Sequence, residues 1–326
     1  MFQDKNSVFS QEIDRGRQNS SEWSVGNFSS EEQLKQRIKD LEAELAERER
    51  DLSMFRAELA EANSKLKVLL GNIEKEISRA AEIQKYMVPT EFPNIPGFEF
   101  SSKFIPSPVS GGDYYDIFEH EEKFRFGIVM ASSSGYSMSA LFLSVLLKMT
   151  GQLEARRGKP AKELVQSLID ELRPQMNEED SAHLLYAIVD RRHFTLQACI
   201  VGGLAVVHHS KSENKVRQIV PQSDPLSKEG DFVSNEDSVS LNPRDKLIFC
   251  STGVLEAKNP KGEPFGLERL YQVVLSQPQS NVHDLRNEIL FQVDKFTNQT
   301  KPIRRDQTLV VMEIKDRVIK LATSRN

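Results

Sequence analysis

The spacing of apolar residues divides the chain into a polar start, a long helix and a globular part. Residues 1–28 are rich in Ser, Asn, Gln and charge, and a segment with so few apolar side chains is predicted to be disordered. From Leu34 onward, apolar residues recur at alternating steps of three and four, which predicts a helix with one narrow apolar seam. Val88-Pro89 ends this helix, because proline disfavours helical backbone in the residue before it.

The seam of the helix follows a heptad. Its d positions are interrupted by Arg48 and Glu76, whereas its a positions are apolar throughout. The a residues are Ile38, Leu45, Leu52, Leu59, Leu66, Ile73, Ala80 and Met87. A seam of this length with charged flanks predicts a coiled coil, and we expect a parallel homodimer. The alternative is a single helix that folds back on the globular part.

Beyond Pro89 the pattern changes to short strands and helical blocks. Segments rich in β-branched and aromatic residues are predicted strands: Phe98–Ile105, Phe124–Ala131, Leu184–Val189, Phe194–Val201, Lys215–Val220, Lys246–Cys250 and Thr308–Ile314. Other segments have helical period: Ser139–Arg156, Ala161–Leu172, Gly266–Leu275 and Val282–Phe296. Runs of strands interrupted by helix pairs favour antiparallel sheets flanked by helices.

Composition narrows the class of protein. The 326 residues carry a net charge of −5 with both signs spread along the chain, which excludes the basic stripe of a nucleic-acid-binding protein. No apolar run approaches the ~18 residues of a membrane span, and the N-terminus lacks the positive-then-apolar order of a signal peptide. Cys199 and Cys250 lie in apolar runs, where we expect buried, reduced thiols. A cytoplasmic protein is therefore expected.

One acidic motif marks the globular part. Residues 111–116 read Gly-Gly-Asp-Tyr-Tyr-Asp, so that a tight turn presents the carboxylates of Asp113 and Asp116. Hard cations such as Mg²⁺ and Mn²⁺ prefer oxygen ligands of this kind. Taken alone, the six residues are a weak signal, and a turn that has a capping aspartate is the commoner interpretation.

The acidic motif is one of several motifs that occur in a fixed order along the chain. They are Ala81-Glu82-Ile83-Gln84 with Val88-Pro89, Pro106 to Asp116, Ser134-Gly135-Tyr136-Ser137, Gly253 to Glu256 with Gly262-Glu263-Pro264-Phe265-Gly266, and Asp306-Gln307-Thr308-Leu309. In this order they resemble the bacterial PPM-type (metal-dependent) Ser/Thr protein phosphatases, in the branch that contains SpoIIE and RsbU. The resemblance implies an α/β (α+β) sandwich of two antiparallel sheets flanked by helices. We expect a disordered segment (1–28), a coiled coil (29–88), a phosphatase-like domain (89–316) and a tail (317–326).

The resemblance also implies which residues would bind metal. In that family two metal ions activate the water that attacks the phosphoserine, and the ligands are mostly aspartates from four segments. The first ligand corresponds to Asp113, whereas the other three correspond to Ser132, Thr252 and Arg305. Hydroxyls are poor replacements for carboxylates, and a guanidinium cannot deprotonate. An inward-pointing Arg305 would pair with Asp113 in the place of the metal.

A shift of register does not recover the missing ligands. Residues 127–147 contain no acidic residue, and no Asp lies between Asp245 and Asp284. The fourth segment alone is ambiguous, because Asp306 directly follows Arg305. Gly202-Gly203 also departs from the Gly-His that the family usually has at this point.

The sequence therefore predicts an intact scaffold around a dismantled site. The first hypothesis is a catalytically inactive pseudophosphatase, without a cofactor, that binds or scaffolds a protein partner such as a phosphoprotein of the anti-sigma antagonist type. The second is an active phosphatase with a reduced Mn²⁺ or Mg²⁺ site at Asp113, Asp116 and Asp306. In the third, the coiled coil is the functional part and the globular domain is a cap.

Three other groups have simpler interpretations. His208-His209 lacks a third metal ligand at useful spacing, so we expect a solvent-facing strand end. Ser132-Ser133-Ser134 has no base linked to it by a motif and is expected to be a loop rather than a nucleophile. Arg304-Arg305 is expected to form structural charge pairs, with phosphopeptide binding as the alternative.

Overall fold

The computed structural model describes residues 30–87, 89, 92–107, 112–134, 158–298 and 305–315. The predicted disordered start, the predicted helix Ser139–Arg156 and the C-terminal tail lie outside the described residues. The chain divides into two units, Met1–Gly71 and Asn72–Asn326.

The predicted long helix is present as α1, Ser30–Met87. Its sequence is rich in Leu, Ala, Glu and Lys, which are strong helix formers, and proline is absent from it. The a residues Ile38, Leu45, Leu52, Leu59, Leu66 and Ile73 are each more than half exposed. None of the described helices is both long enough and apolar enough to cross a membrane.

Two antiparallel sheets form the globular part. The strands are β1 Phe98–Ile105, β2 Tyr114–Glu119, β3 Arg125–Ser134, β4 Ser181–Asp190, β5 Thr195–Val201, β6 Ala205–Ser210, β7 Lys215–Gln218, β8 Leu226–Ser227, β9 Asn235–Ser240, β10 Lys246–Cys250 and β11 Gln307–Ile314. The first sheet has the strand order β1-β11-β10-β6-β7 and the second the order β2-β3-β4-β5-β9, with β8 paired to β4. The helices are α2 Ala161–Leu172, a 3₁₀ turn Arg173–Gln175, α3 Thr252–Leu255, α4 Gly266–Ser276 and α5 Val282–Thr297.

The sheets pack face to face because successive side chains along each strand point to opposite faces of the sheet, which gives each sheet an apolar face. In β2, Tyr115 and Ile117 face the core between the sheets, whereas Tyr114 and Phe118 face a second core under α2. A third core lies between the first sheet and the helices α4 and α5. The predicted sandwich of two antiparallel sheets flanked by helices is confirmed.

Several local predictions were wrong. Residues 114–119 form strand β2, so only the start of the acidic motif precedes regular structure. Ser132–Ser134 continue β3 and are not a loop. His208 and His209 are not solvent-facing: both are buried in β6, where Nε2 of His208 lies 3.0 Å from Oδ2 of Asp245.

Both cysteines are buried as predicted. Burial raises the pKa of the Cys199 thiol to about 12, and it also raises that of Cys250. Neither thiol is therefore poised to react at neutral pH.

Candidate functional site

The four predicted ligand segments meet at one end of the sandwich, where β3 and β10 end and β2 and β11 begin. Oγ of Ser132 lies 3.1 Å from Oγ1 of Thr252. Thr252 begins the short helix α3 directly after β10. A guanidinium nitrogen of Arg305 donates to the same Thr252 Oγ1 across 3.4 Å. Three positions that the resemblance assigned to metal ligands are therefore joined by hydrogen bonds between hydroxyls and a guanidinium.

The charge of Arg305 is balanced by a carboxylate other than the one expected. Its Nη1 lies 3.1 Å from Oε2 of Glu256, which follows α3. Among the described residues, Glu256 is thus the ion-pair partner of Arg305, and the expected pair with Asp113 is not formed. Both side chains of the pair reach solvent, with 39% of Arg305 and 50% of Glu256 exposed.

Asp306, the ambiguous neighbour, is engaged by backbone. Its Oδ1 accepts a hydrogen bond from the N–H of Ser107 at 2.7 Å. Its Oδ2 accepts from the N–H groups of Gly112 at 2.9 Å and Asp113 at 3.2 Å. The side chain is almost wholly buried. Asp306 therefore ties the segments on either side of residues 108–111 to the start of β11.

Asp113 lies beside Asp306 and is also buried. The hydroxyl of Thr308 donates to its Oδ2 across 2.7 Å. Burial, followed by the charge of Asp306, raises the pKa of Asp113 from 3.8 to about 7, although hydrogen bonds from Ser132, Thr308 and Ser251 oppose the shift. The first ligand position is thus occupied by a carboxyl that holds its proton far more strongly than usual.

Asp116 does not face the same way as Asp113. It lies on the face of β2 shared by Tyr114 and Phe118, under α2. Its Oδ2 accepts from the hydroxyl of Tyr114 at 3.2 Å and its Oδ1 from the N–H of Ile117 at 2.8 Å. The two aspartates of the motif therefore do not converge on one point.

The close approach of α3 to β11 requires glycine at position 253. A Cβ placed on Gly253 would overlap the carbonyl oxygen of Asp306. Beside it, the N–H of Ser251 donates to the carbonyl of Thr308 at 3.0 Å, and the N–H of Thr308 donates to Oγ of Ser251 at 2.9 Å. These contacts fix Thr252 against the strand that follows Arg305 and Asp306.

This arrangement can be compared with known proteins. The family Stage II sporulation protein E (SpoIIE) matches residues 122–315, which is more than half of the chain. The chain belongs to the SpoIIE family.

Solved structures share the fold of this SpoIIE domain at low sequence identity. The SiaA-PP2C domain of Pseudomonas aeruginosa is 16% identical, with a TM-score of 0.60 over 76% of this chain and 98% of that domain. The PP2C phosphatase domain of SpoIIE from Bacillus subtilis, with a fragment of its regulatory domain, is 18% identical, with a TM-score of 0.56 over 67% of this chain and 63% of that one. The globular part therefore has the fold of a PPM-type phosphatase domain.

A curated protein is also similar to part of this chain. Protein IcfG of Synechocystis sp. (strain ATCC 27184 / PCC 6803 / Kazusa) is 21% identical over 233 residues. The match covers 61% of this chain and 35% of IcfG, so the chain spans about a third of the length of that relative.

A histidine from a neighbouring strand packs against the Gly-Gly pair of this SpoIIE domain. His183 of β4 pairs with Ser132 of β3, and its Nδ1 accepts from the N–H of Gly203 at 2.9 Å. A Cβ on Gly202, whose φ is +95°, would collide with the His183 ring. Burial and the charge of Arg305 lower the pKa of His183 to about 4, so the ring is neutral at physiological pH.

Taken together, the side chains present do not fit the two-metal centre of the family. No group of three or more His, Cys, Asp or Glu able to hold a metal ion occurs within the described ranges. Asp306 accepts from three backbone N–H groups, Asp116 faces α2, and the remaining ligand positions carry Ser132, Thr252 and Arg305.

Sequence reasoning located the four segments but missed two contributors. Glu256 was visible only as the last residue of a motif, without a signal that it would neutralise Arg305. His183 lies beside Ser132 because β3 pairs with β4, and the register of that pairing cannot be predicted from the sequence.

Proposed function

We propose that this SpoIIE-family chain is a catalytically inactive pseudophosphatase that binds a regulatory protein partner. The observation that carries the proposal is the run of contacts from Ser132 through Thr252 and Arg305 to Glu256, which lies where the family has metal-binding aspartates. A cation placed there would meet a guanidinium and two neutral hydroxyls instead of three carboxylates, and like charges repel.

The state of the remaining carboxylates supports the same proposal. A metal ligand must be deprotonated, and the pKa of Asp113 is raised to about 7, so protonation competes with metal binding there. Asp306 would have to give up hydrogen bonds from Ser107, Gly112 and Asp113 to turn towards a cation. Hydrogen bonds to a charged group contribute roughly 1.5–3 kcal/mol each, so the loss of these three opposes that rotation.

The partner we propose is a phosphoprotein of the anti-sigma antagonist type, bound without being hydrolysed. Arg305 is the group of the site that supports this choice, because its guanidinium is partly exposed and could exchange Glu256 for a phosphate. Guanidinium groups bind phosphate oxygens in a bidentate manner. Binding would then be the output of a domain that keeps the phosphatase fold.

Metal binding and hydrolysis should be measured on the same sample. Mn²⁺ is titrated calorimetrically into the full chain, and hydrolysis of a phosphoserine peptide is assayed in parallel. The matched control is the triple variant Ser132→Asp, Thr252→Asp, Arg305→Asp, which restores the family's carboxylates. We expect neither heat nor turnover from the natural chain and measurable Mn²⁺ binding by the variant. Mn²⁺-dependent turnover that Asp113→Ala abolishes would contradict the proposal.

Partner binding needs its own test. A purified anti-sigma antagonist, in its phosphorylated and unphosphorylated forms, is offered to the immobilised chain. We expect Arg305→Ala to weaken binding of the phosphorylated form at least about tenfold, the loss of one charge-assisted contact, and to leave the unphosphorylated form unchanged. Equal binding of both forms would remove phosphate recognition from the proposal.

One observation favours a second candidate, an active phosphatase with a reduced site. Asp306 raises the pKa of Asp113 through its charge, and a cation between two such carboxylates would relieve their repulsion. A single ion can still polarise a phosphate. Tight Mn²⁺ binding by the natural chain would favour this candidate, and an absence of binding at millimolar Mn²⁺ would eliminate it.

A further inference from the structure

Helix α1 carries an apolar stripe that is exposed in the single chain. The a residues from Ile38 to Ile73 are more than half exposed, and so are the d residues Leu34, Phe55 and Leu69. The stripe repeats every seven residues over more than five heptads. An a/d seam of this kind is buried in a supercoil of two or more helices.

Arg48 interrupts the d positions of this stripe, and its surroundings are acidic. Its Nη2 lies 2.6 Å from Oε1 of Glu44, one turn earlier on the same helix. With Ile38 and Leu45 at position a, Glu44 is at position g and Glu49 is at position e. Arg48 is therefore bracketed by the two acidic residues that flank its own layer.

We propose that a second copy of this chain covers the stripe in a parallel, in-register coiled coil, and that Arg48 forms the ionic layer that fixes this arrangement. In a parallel pair, the g residue of one helix faces the next e residue of the other. Glu44 of one helix would then face Glu49 of the second across the layer that holds both Arg48 side chains. Each guanidinium has five N–H donors and can serve a carboxylate from each helix.

Other arrangements set Arg48 against an apolar core residue of the second helix. A slip of one heptad would set Arg48 against Leu41 or Phe55, the neighbouring d residues. In an antiparallel pair, d residues pack against a residues, which are apolar along the whole seam. A charged group in an apolar layer loses its hydration without compensation. Only in the parallel in-register pair do both Arg48 side chains share one layer, flanked by Glu44 and Glu49 of each helix.

The neighbouring flanks agree with this register. Arg37 at g would face Glu42 at e of the second helix, and Asp51 would face Arg56. Both of these pairs join opposite charges. The pair between them, Glu44–Glu49, joins like charges, and it lies at the layer where Arg48 supplies the opposite charge. This charge complementarity identifies the occupant of the stripe as another copy of α1.

Orientation and register can be read from disulfide cross-linking of the full chain. Leu45→Cys places a thiol at an a position next to the Arg48 layer, where it meets its own counterpart only in a parallel in-register pair. Ala43→Cys, at position f on the opposite side of the helix, is the matched control, and the natural cysteines are buried. We expect covalent dimers from Leu45→Cys and few from Ala43→Cys. A chain that light scattering shows to be monomeric, or equal cross-linking of both variants, would overturn the proposal.

A charge exchange tests the role of Arg48 itself. Arg48→Glu surrounds the layer with acidic groups only, and we expect the dissociation constant of the dimer to rise at least about tenfold. The variant Arg48→Glu, Glu44→Lys, Glu49→Lys exchanges the signs and should return the constant to within about threefold of the natural value. Circular dichroism at high protein concentration shows that each helix forms. An unchanged constant in the first variant, or no recovery in the second, would show that Arg48 does not set the pairing.

Discussion

The guanidinium of Arg305 and the carboxylate of Glu256 lie 3.1 Å apart, at the position where the family places a metal ligand. Both groups reach solvent, so the pair itself stabilises the fold by no more than about 1 kcal/mol. Its larger effect is electrostatic, because a fixed cation stands beside Thr252 and near His183. The replaced ligand position thus still holds a positive charge, but one that belongs to the chain.

Removing this charge should be detectable at His183. The pKa of His183 is lowered to about 4 by burial and by Arg305, so Arg305→Ala should raise it part of the way towards 6.5, with burial holding it below that value. The pKa is followed by NMR titration of the imidazole resonances. Lys261→Ala, a change on an exposed turn, is the control and should leave His183 unaffected. An unchanged pKa in Arg305→Ala would mean that the two charges do not interact.

Asp306→Asn should destabilise the globular domain. An amide has one acceptor oxygen, so it cannot accept from the N–H groups of Ser107, Gly112 and Asp113 together. We expect the free energy of unfolding to fall by about 2–4 kcal/mol, since buried donors lose their acceptor. Urea unfolding, followed by the near-ultraviolet circular dichroism of the buried tyrosines, measures the change. Asp224→Asn, at an exposed position, should differ from the natural chain by less than about 0.5 kcal/mol.

Asp113 should make the stability of the domain depend on pH. Burial and Asp306 raise its pKa from 3.8 to about 7, so the folded state keeps a proton that the unfolded state releases. Its contribution to stability is therefore fully present below pH 3.8 and is lost as the pH rises through about 7. Asp113→Asn does not titrate, and the stability of the natural chain relative to this variant should fall by about 4 kcal/mol between pH 4 and pH 8.

The comparison needs the same unfolding measurement at several pH values for both proteins. A constant difference between the natural chain and Asp113→Asn across this range would show that Asp113 ionises normally. If the natural chain instead became more stable relative to Asp113→Asn as the pH rises, the pKa of Asp113 would be lowered by folding. A cation or a hydrogen-bond donor would then stabilise the carboxylate.

Gly253 should not tolerate a side chain, whereas its neighbour across the site should. A Cβ at Gly253 would overlap the carbonyl oxygen of Asp306, so Gly253→Ala must move α3 or β11. We expect a loss of about 3 kcal/mol or more in the free energy of unfolding, comparable to the upper range of overpacked cores. At Gly203 a Cβ would meet Thr252 and His183 at 3.4 Å and 3.8 Å, which are ordinary contacts. Gly203→Ala should change stability by less than about 1 kcal/mol, and equal losses in both variants would contradict this account.

The strands that could be predicted from sequence are those with continuous β-branched and aromatic runs. Lys246–Cys250 and Phe98–Ile105 have the predicted bounds. Strand β9, Asn235–Ser240, was missed because it lies at a sheet edge and most of its side chains are exposed and polar. His209 was predicted to be exposed because a pair of polar residues at the end of an apolar run is typical of a surface. It is buried because β6 is an interior strand, between β10 and β7.

The candidate site could be predicted in its positions but not in its contacts. The order of motifs located Asp113, Ser132, Thr252 and Arg305, and the structure brings these segments together. Which carboxylate pairs with Arg305 depends on rotamers and on where α3 ends. Asp116 and Asp113 face opposite ways because strand β2 begins at Tyr114. The sequence is equally compatible with a turn at that point, so this difference could not be predicted.

The three hydrogen bonds that Asp306 accepts have a consequence for the protein in the cell. They join Ser107, Gly112 and Asp113 to β11 with atoms of the chain alone. With the function proposed above, we expect this end of the domain to keep its shape in a cell starved of manganese as well as in one amply supplied. A signalling surface built in this way would report on its protein partners and would be indifferent to the supply of trace metals.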